Sequence, residues 1–471
     1  MNPLTKLWSL AESQPDSLAI VSASVQMNYR DLVENVARFA GALRKRGIIK
    51  GQVVAIDLQP ELEAVLILAC AQLGAVSLSA SPMILRGYRN RIDVLITEQA
   101  LGAEQVKNRI VIDQNFMQEL GSAVKISTPE TLQDEDLVRL SFSSGTTGVP
   151  KGIPFTAARI PLRTDSAHRN WMQTKPGMSL LGLDTITGII ALFWAVTSGN
   201  TFFASKSPLE NLMLIRTHGI KSLETSPAKL KDLLDVAGDH ELTDLKQILV
   251  AGSLMTDSLA ERCEQVFGFT PSYLYGSTEV GAATVGIFQA DLSNRLGKLV
   301  ADVDLEIVDE ALNPIEPNQV GQIRYRKSSM PVEYWGSASS HLNGFVDGWF
   351  YPGDRGWLDT QGFLYLEGRN DDVVNAAGNK FNLLTLDLWL QAASLFDEVA
   401  SFTYETTGGT RIGLAFVATN TPEPQVLVQK IQSFLPNLQI GQLLRLRALP
   451  RNLMDKIDRN ELAKLAEAKN E

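Results

Sequence analysis

From Tyr29 onward, apolar side chains fall on Leu32, Val36, Phe39 and Leu43 with polar residues between them, and Gly47 closes the run. Steps of three and four residues predict a helix with one buried face. The segment that follows, VVAIDL from Val53, is almost continuously apolar and reads as a buried strand. The alternation continues through helix EAVLILACAQLG and strands AVSLSA, IDVLIT, RIVID, MSLLGL and NTFFA. Helix LENLMLIRTHG, strand KSLET, helix AKLKDLLDVAG and strand QILVAG complete it. Repeated strand and helix units predict an α/β architecture with largely parallel sheets.

After about Gly297 the texture changes to short strands separated by turn residues, which predicts a β-rich subdomain. Beyond Gly368-Arg369 comes the acidic turn Asn370-Asp371-Asp372, then a region mixing helices and strands. The expected division is a large N-terminal domain of mixed α/β sheets over residues 1–369 and a small mobile α+β C-terminal domain over 370–471.

Composition narrows the function classes. A chain of 471 residues, 45% hydrophobic, exceeds what a single core usually holds. The net charge is −10 and no run of five like charges occurs, which argues against a nucleic-acid groove. The N-terminal stretch has no uninterrupted apolar segment and does not read as a secretory signal, and the apolar run Ile186 to Val196 is too short to span a bilayer. Cys70 and Cys263 each sit in a helical pattern, as buried thiols of a reducing compartment would, so a cytoplasmic location is expected. His168, His218, His240 and His341 lie far apart and lack metal-ligand spacing.

Candidate chemistry starts at SSGTTGVPKG, residues 143–152, which lies between the apolar runs LVRLSF and IPF. Three glycines, four hydroxyls and a lysine exceed what a simple turn needs. The glycine-to-lysine interval is not that of a Walker loop, and neither Ser143 nor Ser144 stands in a Gly-x-Ser-x-Gly elbow. Inward N–H groups, hydroxyls and a lysine suit a polyphosphate, but a mobile surface loop has the same composition. A second segment, PSYLYGSTEVG, brings Ser277, Thr278 and Glu279 to the end of a β-prone run, where one carboxylate suits Mg²⁺ bound with substrate phosphates. A third, Tyr351-Pro-Gly-Asp354, sets an acid after a turn, suited to a ribose diol or to local hydrogen bonds.

The ordered set SSGTTGVPKG, YGSTE, YPGDRG, GRNDDVV and LPRNLMDKIDRNEL resembles the adenylate-forming superfamily, which holds acyl- and aryl-CoA synthetases, adenylation domains of nonribosomal peptide synthetases, and luciferases. The resemblance covers the chain from about Tyr29 to Leu465. It implies ATP-dependent activation of a carboxylic acid to an acyl-adenylate, followed by transfer to the thiol of CoA or of phosphopantetheine on a separate acyl or peptidyl carrier protein. It further implies that Ser143, Ser144, Gly145, Thr146, Thr147, Gly148 and Lys151 wrap the ATP phosphates, with Thr147 and Glu279 near Mg²⁺. Gly252, Ser253, Tyr275 and Gly276, continuing through Ser277 and Thr278, match the nucleotide-lining segments. Asp354 matches the ribose-binding acid, Arg369 a second ribose or phosphate contact, Asp371 the hinge, and Lys456 the mobile lysine that reaches the reacting carboxylate and the α-phosphate.

Two departures qualify the resemblance. Asp455 precedes Lys456 where the family usually has glycine, which predicts slower adenylation if the carboxylate pairs with the ammonium. In LGLDTITGIIALFW, Asp184 and Thr185 stand where many CoA-forming members carry a histidine or an aromatic residue. Asp184 could hold the α-ammonium of an amino acid, whereas small residues at Gly188, Ala251, Gly281 and Ala282 would leave an apolar pocket for a fatty or aryl acid. A luciferase-like oxygenase and a non-catalytic adenylate-binding relative are the alternatives of another class.

Overall fold

The computed structural model describes residues 2–98, 106, 108–143, 150–237, 242, 244–290, 292–336, 344–376, 379–393, 395–407, 409–418, 423–436, 438–452 and 456–468. The first amphipathic pattern forms the helix Tyr29–Lys45, capped where the Asn28 side chain accepts from the Asp31 N–H at 2.8 Å. Leu32, Val36, Phe39 and Leu43 are buried on one face, and Gly47 ends the turn at φ 87°. The most apolar run forms the helix Ile186–Ser198, which the core encloses from Gly188 to Val196. Among the described residues no helix is long and apolar enough to cross a membrane.

Two large sheets carry the N-terminal part. In the six-stranded sheet Val53–Asp57 lies between Val76–Ser79 and Val94–Thr97, all parallel. Leu137–Ser143 runs parallel to Val76–Ser79 and then turns back, antiparallel, into Lys151–Thr156. The twelve-stranded sheet begins as a parallel block of Gly177–Ser179, Ser222–Thr225, Gln247–Ala251 and Ser272–Ser277. From Gly281–Ile287 onward its pairing along the main path is antiparallel, so the β-rich stretch expected after about Gly297 begins one strand earlier. The strand expected over MSLLGL stops at Ser179, whose Oγ accepts from the Leu181 N–H at 3.2 Å and bends the chain toward a cavity. That cavity, about 1600 Å³, opens at the carboxyl ends of the parallel strands, the usual place for a ligand in α/β sheets.

The smaller C-terminal part is a sheet of Glu398–Thr406, Gly409–Val417 and Ile440–Arg445, with helices Leu383–Gln391, Pro424–Phe434 and Arg459–Glu467. It has its own apolar clusters, one around Leu386, Leu414 and Phe416 and another around Phe402, Leu444 and Leu462. Arg459 ties its last helix to two acids, Asp372 at 3.2 Å and Asp387 at 2.7 Å. Glu398 bridges Arg451 at 2.7 Å and, across to the N-terminal part, Lys231 at 3.3 Å. Cys70 and Cys263 are free and buried, and burial pushes both thiols up to about 12.

Candidate active site

The hairpin Leu137–Ser143/Lys151–Thr156 sets Ser143 opposite Lys151, and Ser143 lines the cavity. Ser144, Gly145, Thr146, Thr147 and Gly148 lie outside the described residues. Lys151 holds its ammonium 5.1 Å from the centre of the Tyr334 ring. That ring is anchored in turn, because the Tyr334 hydroxyl donates to Glu279 Oε1 at 2.8 Å. The candidate phosphate lysine and the candidate metal acid are therefore linked through one tyrosine.

Glu279 follows the strand Ser272–Ser277, which bulges between Tyr275 and Gly276. Two glycines permit the close approach there. A Cβ on Gly276 would collide with the Gly281 carbonyl, and one on Gly281, at φ 88°, with the Arg163 guanidinium. Buried Arg163 donates to the main-chain carbonyl of Glu279, so a positive charge lies behind the carboxylate. Thr278 and Glu279 are both buried, and the Ser277 Oγ accepts from the Val280 N–H at 3.2 Å. No group of three or more metal-ligating side chains occurs among the described residues. One buried carboxylate fits Mg²⁺, which usually takes its other ligands from phosphate and water.

Asp354 receives two donors: Tyr275 Oη on Oδ2 at 2.6 Å and Arg369 Nη1 on Oδ1 at 3.0 Å. Burial, reinforced by the Asp354 charge, raises the Tyr275 phenol well above its ordinary range and keeps it a donor. Tyr275 and Gly276 line the same cavity wall as Gly252 and Ser253. Gly252 sits at φ 100°, which favours glycine, and the Ser253 carbonyl accepts from Tyr273 Oη at 2.9 Å.

Lys456 lines this cavity from the opposite side and is accessible through it. Desolvation lowers its ammonium below the ordinary lysine range, Asp354 and Glu279 oppose that shift, and Arg369 adds to it. Two cations and two acids from widely separated segments thus act on one space. Asp371 is exposed on the turn Asn370–Asp372 and also lines the cavity, and Asp455 lies outside the described residues.

The acid-pocket residues divide. Asp184 lines the cavity. Thr185 instead caps the helix Ile186–Ser198, its Oγ1 accepting from the Gly188 N–H at 3.1 Å and donating to the Gly182 carbonyl at 2.8 Å. Gly188 is small because a Cβ would collide with the Gly182 carbonyl, which makes it a packing residue and not a pocket wall. Gly281 faces Arg163, and Ala251 ends its strand one residue before the Gly252 wall.

Sequence reasoning missed Tyr334, Arg163 and a buried cluster under the Asp184 wall. There Arg139 donates to Ser79 Oγ at 2.5 Å and to the Leu183 carbonyl at 2.7 Å, and Ser79 donates to Glu63. Burial lowers the Arg139 guanidinium to about 10, and the charges of Glu63 and Asp184 hold it up. A lone arginine inside the apolar run LVRLSF was the available signal.

A profile described as AMP-binding enzyme matches residues 7–335. A 2-succinylbenzoate–CoA ligase of Listeria innocua is 25% identical over 95% of this chain and 96% of its own length. A fatty acid–[acyl-carrier-protein] ligase, ScoC of Streptomyces coeruleorubidus, is 25% identical over 78% of this chain and 77% of its own. Among solved structures, the O-succinylbenzoate coenzyme A synthetase of Bacillus subtilis in complex with ATP and magnesium ion superposes with a TM-score of 0.85. It covers 97% of this chain and 98% of that one at 22% identity.

Proposed function

The chain belongs to the AMP-binding enzyme family, and from that premise we propose an acid–thiol ligase that activates a carboxylic acid with ATP and passes the acyl group to a thiol. The observation that carries this reading is the convergence of Lys456, Asp354 and Arg369 on one cavity between the two parts of the chain, with the charge of buried Glu279 also acting on Lys456. In the first half-reaction a carboxylate oxygen bonds to the α-phosphorus, the bond to the β-phosphate oxygen breaks, and pyrophosphate leaves. In the second, a thiol sulfur attacks the acyl carbon, AMP departs, and the thiol proton passes to solvent.

Lys456 approaches the oxyanions that develop at the α-phosphorus, where fixed positive charge has the largest effect on rate. Asp354 accepts from the ribose diol with Arg369 holding its other oxygen, and Gly252, Ser253, Tyr275 and Gly276 form the wall against the base. The loop Ser143 to Lys151 grips the leaving pyrophosphate. Glu279 and Thr147 are the residues that would hold Mg²⁺. When bound, that ion neutralises phosphate charge. Asp371 is the hinge between parts 1–369 and 370–471, and rotation there withdraws Lys456 and admits the thiol.

The acceptor is CoA or the phosphopantetheine of a separate carrier protein. The charge of buried Arg139 acts on Asp184 from a distance, which supports a simple carboxylic acid over an α-amino acid. The two buried free thiols support a reducing, cytoplasmic setting. The deciding experiment is acid-dependent pyrophosphate release across fatty, aryl and amino acids, with Lys456→Ala as control. No release with any acid overturns the reading, and addition of CoA or a loaded carrier protein identifies the acceptor.

A further inference from the structure

A second, smaller cavity of about 30 Å³ abuts the main one, and Ser179, Phe202 and Phe203 line both. Its remaining walls include Trp171 and Trp194, and one acid, Glu224, reaches it from the strand Ser222–Thr225. Glu224 is buried. Its Oε1 accepts from Trp171 Nε1 at 2.6 Å, while its Oε2 is buried with no hydrogen-bond partner among the described residues. Among the described residues no charged side chain acts on it: burial pushes the carboxyl up to about 7, opposed only by the Trp171 hydrogen bond. Lys175 lies 5.3 Å over the Trp194 ring but is not among the groups acting on Glu224.

A buried carboxylate without a counter-ion is costly, so such an acid either keeps its proton or meets a cation that compensates its charge. The surroundings specify that partner. Aromatic faces attract cations, the unpaired oxygen accepts a hydrogen bond, and the space holds one group about the size of a water molecule. The Leu180 N–H donates to the Glu224 carbonyl at 2.8 Å, so the chain that forms the Leu180–Asp184 wall of the main cavity departs from the acid's own strand position.

We propose that this cavity is the far end of the acyl site and takes the terminal ammonium of an amino-ended carboxylic acid, with Glu224 as its counter-ion and Trp171, Phe202 and Phe203 as its walls. The inference rests on the ligase reading and deepens it by naming a substrate class. A methyl-ended chain of the same length leaves the Glu224 oxygen unpaired, and polar sites discriminate strongly against analogues that lack the group they are built to bind.

The test uses aliphatic acids of graded length in three series, ending in ammonium, hydroxyl or methyl. At one length the ammonium series exceeds the methyl isostere by at least about tenfold in kcat/KM for pyrophosphate release, and Glu224→Gln removes that preference chiefly through KM. Equilibrium binding of the same acids, read by calorimetry, separates the two claims. Amino-ended acids that bind without releasing pyrophosphate overturn the ligase reading and leave the site standing. Turnover or binding that favours methyl- or hydroxyl-ended acids overturns the site, as does an unchanged ranking in a folded Glu224→Gln chain.

Discussion

Tyr275 donates its phenolic hydrogen to Asp354 at 2.6 Å, joining the strand Ser272–Ser277 to the start of the strand Asp354–Leu358. Each residue fixes the other, since the hydroxyl is held protonated and the carboxylate is held in one rotamer. Arg369 completes the arrangement at 3.0 Å on the other carboxylate oxygen. On the proposed roles, Asp354→Ala raises KM for ATP by about tenfold or more, while Tyr275→Phe raises it less because Arg369 still orients the acid. ATP titrations at saturating acid measure both, and equal KM values in all three proteins exclude Asp354 as a nucleotide contact.

Glu279 is set from two directions, by the Tyr334 hydroxyl on its carboxylate and by Arg163 on its backbone carbonyl. Tyr334→Phe removes one hydrogen bond to a charged group, worth about 1.5–3 kcal/mol, and frees the ring beneath Lys151. The Mg²⁺ concentration for half-maximal pyrophosphate release therefore rises. A shift in melting temperature with an unchanged Mg²⁺ requirement assigns Tyr334 to packing alone.

Lys456→Ala separates the half-reactions. Acyl-adenylate formation falls by about 10²–10³-fold, and thioester formation from supplied acyl-adenylate is retained. The pH profile follows from the lowered pKa. The lysine acts while protonated, and desolvation lets it lose its proton below the ordinary lysine range, so adenylation declines on the alkaline side earlier than an unperturbed lysine would require. Thioester formation from supplied adenylate does not share that decline. Identical alkaline limbs for the two steps count against the role given to Lys456.

Gly188→Ala tests the close packing of Gly188 against Gly182. The added methyl meets the Gly182 carbonyl, so the variant loses about 1–3 kcal/mol of stability. Its preference among acids stays that of the parent. A changed acid preference at unchanged stability would return Gly188 to the pocket wall.

Much of the architecture was legible because local patterning and tertiary burial agree. The Leu32, Val36, Phe39, Leu43 face is buried as its spacing requires, and the motif segments converge although they are far apart in sequence. Thr185 and Gly188 were ambiguous because a cap hydroxyl and a close-packed glycine use the same small residue types as a binding pocket. Tyr334 and Glu224 left no local trace. Tyr334 matters through side chains distant in sequence, Glu279 55 positions away and Lys151 over its ring, and Glu224 is an ordinary strand acid in KSLET until the fold encloses it. MSLLGL reads as one strand because its hydrophobicity is continuous, and only the Ser179 hydrogen bond reveals the bend.

Arg459 grips Asp372 and Asp387 three positions beyond Lys456. The lysine segment and the far side of the proposed hinge therefore move as one stiff crank, with little slack for the lysine to wander independently. On the proposed rotation about Asp371, such a linkage would make the two half-reactions mutually exclusive in time: with the crank closed the reactive anhydride is covered, and water gains access only when the thiol does.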